Sequence, residues 1–119
     1  MKILILEDDG YRTKLMKSYL QERLSELTVV FVKTALEAID KLASEEWSLV
    51  SLDHDLGDLE MVESGPGTGY EVACWLEQHP ERKPPIMWVH SLNIVGRQKM
   101  LAALPEAVEM PGWWNKREA

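Results

Sequence analysis

Cysteine is nearly missing from this chain: Cys74 is the only one in 119 residues. A lone thiol builds neither a disulfide framework nor a Cys-rich zinc site, and a reducing compartment is the simplest reading. Long apolar runs are missing too. The first, Ile3-Leu4-Ile5-Leu6, stops after four residues at Glu7, whereas a membrane helix needs about 20. It is also too short for the core of a signal peptide. It therefore reads as a strand, in a cytoplasmic protein with no membrane partner. Basic charge is scarce as well, with 13 Lys and Arg against 20 Asp and Glu and a net charge of −7. A general nucleic-acid binder normally carries a basic stripe against phosphates, so that class is disfavoured. A small phosphorylated ligand held locally is not.

What is present suits one globular domain over residues 1–119: 45% of the residues are hydrophobic and 28% charged, too apolar for disorder. The patterning predicts strands at Ile3 to Leu6, Thr28 to Val32, Ser48 to Asp53, Ile86 to Val89 and Ala107 to Met110. Between them lie helical periods from Tyr11 to about Leu27, from Leu36 to before Trp47, from Tyr70 to Gln78 and from Ile94 to Leu104. Thr34 to Glu37 has a capping-box pattern, and Asn93 is a good N-cap. The second helix is expected to bury Leu36, Ile39, Leu42 and Ala43. Gly57 to Thr68 is a long polar loop of the kind that carries function or mobility. Strict βα alternation predicts an α/β parallel sheet with helices on both faces.

In such a sheet, ligands bind beyond the carboxyl ends of the strands. Three of those ends are polar. The first gives Glu7, Asp8 and Asp9; the third gives Asp53, His54 and Asp55; the fourth gives His90 and Ser91, with Asn93 close behind. Converging carboxylates raise one another's pKa and cost stability unless a cation neutralises them, which predicts a divalent metal, Mg²⁺ or Mn²⁺, on Glu7, Asp8 and Asp53. Asp9 either joins them or caps the first helix. His54, between two acids, is a candidate general acid or, when neutral, a metal ligand; its plain alternative is a loop histidine. His90 is either catalytic or a core histidine bonded to backbone. Asp55 either orients His54 or completes the metal shell. Arg12, Ser91, Asn93 and Arg97 are candidate phosphate-binding groups, with N-capping the alternative for Asn93 and a surface ion pair for Arg97.

These motifs resemble a known family. "KILILEDD" is similar to the first strand and acid pair of response-regulator receiver domains, a resemblance that covers nearly the whole chain. It implies a flavodoxin-like fold, a five-stranded parallel sheet in the order 2-1-3-4-5. Glu7 and Asp8 fall on the metal-binding pair, Asp53 on the phosphoacceptor, and Asp55 on the position whose backbone carbonyl joins the metal shell. The chain departs from that pattern in four places. His90 replaces the Ser or Thr of the fourth strand, and Met110 replaces the lysine of the fifth. The loop after the third strand is longer, and the last helix is missing or reduced, leaving a sheet face for Trp113-Trp114 or a homodimer to cover.

"LEDDGYR", "LDHDLGD", "TGYEV" and "HSLNIVGRQKM" together resemble more closely the cyclic-phosphate-processing receiver domains. That resemblance implies a metal-dependent phosphoesterase acting on a cyclic or diester phosphate of nucleotide type. Glu7, Asp8 and Asp53 would then hold the ion while His54 or His90 moves protons. Two alternatives stand beside it: an atypical signalling receiver phosphorylated on Asp53, and a non-catalytic module binding a phosphorylated ligand or a protein.

Overall fold

The computed structural model describes residues 1–56 and 62–110. Strands and helices alternate along the chain: β1 (Lys2–Leu6), α1 (Gly10–Arg23), β2 (Thr28–Val32), α2 (Ala35–Ser44), β3 (Leu49–Leu52), α3 (Gly69–Gln78), β4 (Ile86–Val89), α4 (Ile94–Ala103) and β5 (Val108–Glu109). A single turn of 3₁₀ helix, Pro80–Arg82, precedes β4. All neighbouring strands pair in parallel, in the order β2-β1-β3-β4-β5. This is the flavodoxin-like receiver fold. β1 lies between β2 and β3 with helices on both sides, which is why its sequence is an unbroken apolar run rather than an alternating one.

Alternation along the strands still sorts residues between two cores. Ile3, Ile5 and Leu49 face α1 and pack with its Met16 and Leu20 and with Met110. Leu4, Leu6, Val50, Leu52 and Val89 face the opposite layer of α2, α3 and α4. Asp9 caps α1, its carboxylate accepting from the Tyr11 and Arg12 N–H groups. Thr34 accepts from the Glu37 N–H at the start of α2, and Asn93 from the Gly96 N–H at the start of α4.

Three expectations are corrected. α1 ends at Arg23 and not near Leu27, because Leu24 is extended (φ −126°, ψ 137°) and Glu26, with φ +52°, makes the turn into β2. Leu24 and Leu27 nevertheless pack against the core on the α1 face. In α2 the buried residues are Ala35, Ala38 and Leu42, while Leu36 is 72% exposed and Ala43 is exposed. The two alanines let the helix axis approach the sheet closely, so the helix turns its small side inward and its larger Leu36 outward. β5 is only two residues long, with both side chains exposed and the anchoring done by buried Ala107 and Met110 on either side. The expectations for the last helix and for Trp113-Trp114, and part of the long loop, fall outside the described residues.

Candidate functional site

The ladder continues one residue past β1, β3, β4 and β5. The Glu7 N–H donates to the Val32 carbonyl (2.9 Å), Asp53 to Leu6 (3.1 Å), His90 to Leu52 (2.9 Å) and Met110 to Val89 (3.0 Å). Side chains alternate along a strand, so Glu7 keeps step with Ile3 and Ile5, and Asp53 with Leu49 and Ser51. These side chains all reach the α1 face. His54 keeps step with Val50 and Leu52 and goes to the other.

On the α1 face the side chains of Glu7, Asp53 and His90 meet, all almost fully buried. The His90 imidazole bridges two partners: Nε2 lies 3.1 Å from Glu7 Oε1, and Nδ1 lies 2.7 Å from Ser51 Oγ. Against a carboxylate Nε2 must carry the proton, so Nδ1 accepts from the Ser51 hydroxyl. From α1, Arg12 brings one guanidinium nitrogen, Nη2, to 3.0 Å from Glu7 Oε2 and 3.4 Å from Asp53 Oδ2. Asp8 is not part of this group. It is half-buried and lines, with Glu7, Gly10, Thr13, Phe31 and Lys33, an open cavity of about 450 Å³ beside the acids.

Two carboxylates and one guanidinium leave an uncancelled negative charge in a dry place. Burial, and then the charge of Glu7, push the Asp53 carboxyl up to about 8, against the opposing pull of Arg12. Burial pushes Glu7 the same way, but its hydrogen bond to His90, the charge of Arg12 and the Asp9 N–H together hold it below the ordinary carboxylate range. His90 is lowered, chiefly by burial, which keeps its ring neutral at physiological pH.

One ligand atom each from Glu7, Asp53 and His90 lie within 4.8 Å of one another. Two carboxylate oxygens and an imidazole nitrogen fit a hard divalent ion, and Asp53 is the group whose strain such an ion would relieve. The donor set has one internal requirement. Nε2 offers a lone pair only when its proton moves to Nδ1, and Ser51 can accept it there by turning its own hydroxyl toward Met110 Sδ, 3.8 Å away.

The other polar cluster, on the α2–α4 face, is built around His54. Its Nδ1 lies 2.7 Å from Asp55 Oδ1 and its Nε2 lies 2.8 Å from Ser64 Oγ. The ring is fully buried against α4 at Gly96, where an added Cβ would stand 2.5 Å from His54 Cγ. Asn93 caps α4 and also donates from Nδ2 to Asp55 Oδ1 (3.1 Å) and the Val62 carbonyl (3.0 Å). The β3 end is held just as tightly at α3: the Gly69 N–H donates to the His54 carbonyl at 3.0 Å, and a Cβ there would fall 1.7 Å from the Asp53 carbonyl oxygen.

The sequence-predicted set therefore divides. Glu7, Asp53 and His90 come together, with Arg12 between the acids. His54, Asp55 and Asn93 come together elsewhere. Ser91 accepts from the Asn93 N–H, and Arg97 donates to the Ser91 carbonyl (2.8 Å) and pairs with Glu109 (3.0 Å). Ser51, which shapes the first cluster, carries no motif of its own, and its signal is its parity with Asp53; Gly96, which shapes the second, lies within the HSLNIVGRQKM stretch but is not among the predicted site residues.

A family model described as the cyclic-phosphate processing receiver domain matches residues 3–106. Among solved structures, the phosphorylated cyanobacterial phytochrome response regulator RcpA aligns with a TM-score of 0.74 at 20% identity, over 94% of this chain and 81% of its own. The response regulator TrrA from Thermotoga maritima, in complex with Mg²⁺ and BeF, aligns with a TM-score of 0.69 at 21% identity, over 97% and 90%. The Mn²⁺-bound response regulator Rcp1 aligns with a TM-score of 0.71 at 18% identity, over 94% and 81%. No match was found among curated proteins. These findings correct the expectation of a phosphoesterase with proton-moving histidines: the matches are to receivers and response regulators. The geometry gives the physical reason. His54 lies on the far face of the sheet from the acids, and both of its ring nitrogens are already paired.

Proposed function

The chain belongs to the family of cyclic-phosphate processing receiver domains, and from that premise we propose that it is an atypical receiver, a signalling module that takes a phosphoryl group on Asp53. The observation that carries this reading is the placement of Asp53. It is a buried carboxylate at the carboxyl end of the central β3, facing a second acid on β1 and a guanidinium. In the transfer, an Asp53 oxygen attacks phosphorus of a small phosphorylated donor. The bond from phosphorus to the leaving oxygen breaks, and that oxygen departs with its electron pair, as acetate when the donor is acetyl phosphate.

Glu7, Asp53 and His90 are the residues that would hold Mg²⁺ or Mn²⁺. Such an ion would neutralise the phosphoryl oxygens and keep Asp53 ionised. Met110, where receivers of the ordinary pattern carry a lysine, brings no charge. Arg12 is the cation beside the acceptor instead. Asp8, which lines the open cavity together with Glu7, would meet the ion and the donor there.

The test is incubation with acetyl phosphate and Mg²⁺ or Mn²⁺, followed by intact-mass and peptide measurement. The expected result is one added phosphoryl group on Asp53, absent from Asp53→Asn. A folded wild-type protein that gains no mass with either ion would refute the reading.

A further inference from the structure

Arg12 Nη2 contacts both of the buried carboxylates that would hold a divalent ion. It is 3.0 Å from Glu7 Oε2 and 3.4 Å from Asp53 Oδ2, the same two residues that supply the oxygen ligands of the candidate trio. The arginine side chain is 12% exposed, so most of the guanidinium is withdrawn from solvent along with the acids it serves. A guanidinium cannot lose its proton at any ordinary pH. Two positive centres cannot share one pair of carboxylates at this distance without strong repulsion in a poorly solvated pocket.

We propose that Arg12 is the resident counter-ion of the pocket and that a divalent ion binds only as this guanidinium withdraws from the Glu7–Asp53 pair. The arginine stabilises the ion-free protein and sets a threshold on ion entry. Its position on α1 gives it somewhere to go. Asp9 Oδ2 already lies 3.7 Å from Arg12 Nε and is 31% exposed where Glu7 and Asp53 are buried, and a flexible side chain can pivot about that more solvated contact without moving the helix. Part of the metal shell suggested by the sequence is thus filled by the protein itself.

The inference rests on the reading of Glu7, Asp53 and His90 as an ion site, and the experiment separates the two. Mn²⁺ binding is measured by electron paramagnetic resonance on wild type, Arg12→Gln and Arg12→Lys, with thermal melting of each protein with and without Mn²⁺. Arg12→Gln is expected to bind Mn²⁺ about tenfold more tightly or better, to melt lower than wild type without ion, and to gain more from Mn²⁺. Arg12→Lys, which keeps the charge with a shorter reach, is expected to fall between them. Equal or weaker Mn²⁺ binding by Arg12→Gln would overturn the competition while leaving the ion site standing. If neither protein binds Mn²⁺, the ion site itself fails, and the proposal with it. Should Arg12→Gln be unfolded without ion, recovery of its far-ultraviolet circular dichroism on adding Mn²⁺ supports the proposal, and persistent unfolding at saturating Mn²⁺ overturns it.

Discussion

Asp53 and His54 are neighbours in the chain, yet their side chains sit in opposite kinds of polar environment. Around His54 the groups are matched: both ring nitrogens are paired, Asn93 uses both ends of its amide, and a glycine on α4 makes room for the ring. Around Asp53 they are not. Two buried carboxylates share one guanidinium nitrogen, and the proton that Asp53 keeps to about pH 8 marks the residual mismatch. A satisfied cluster holds the β3 end to α3 and α4, whereas an unsatisfied one stores electrostatic free energy that an ion or a phosphoryl group can release.

The largest expected effect attacks the satisfied side. Gly96→Ala drives a methyl to within 2.5 Å of the His54 ring and should cost about 3–4 kcal/mol by urea denaturation. A cost under about 1 kcal/mol would mean that the ring is loosely held, and the contrast between the clusters would weaken.

Next comes Asp53→Asn, which should stabilise the ion-free protein. The unfolded carboxyl titrates near its ordinary value of about 3.9, and the folded one near about 8. Between those values folding takes up a proton, so the Asp53 contribution falls as pH rises through that window and is fully lost above it. The gain from Asp53→Asn should be near zero at about pH 4, grow through that window and level off above about pH 8. Melting temperatures of both proteins across that range check the sign, and a constant or falling gain would contradict it.

Asn93→Ala removes an N-cap and two donors and should cost about 2 kcal/mol. Ser64→Ala takes away one partner of His54 and should cost about 1 kcal/mol. Chemical denaturation ranks the pair, and a reversed order would place more of the cluster's stability in the loop than in the cap.

Most of the architecture was legible in the residues, because parallel strands buried on both faces write themselves as short apolar runs between helical periods. The α2 face was not. Leu36 outweighs Ala35 and Ala38 in hydrophobicity, but close approach to a sheet rewards small side chains, which a reading by hydrophobicity passes over. In the site, the strand ends were readable and their partition was not taken from them. Glu7 shares parity with Ile3 and Ile5, as Asp53 does with Leu49, so the two acids were destined for one face and His54 for the other. No local pattern announces that Arg12 reaches across to both acids or that His90 rests on Ser51, since those contacts depend on the register of strands distant in sequence.

The contact between Ser51, His90 and Glu7 also makes the imidazole an indicator of occupancy. With Nε2 protonated toward Glu7, its two ring nitrogens should give widely separated ¹⁵N resonances, one pyrrole-like and one pyridine-like. Coordination of Nε2 would exchange those identities without changing the charge of the ring. His90 resonances could therefore report the filling of the pocket through a hydrogen relocated by one ring's width, in a molecule with only three histidines to assign.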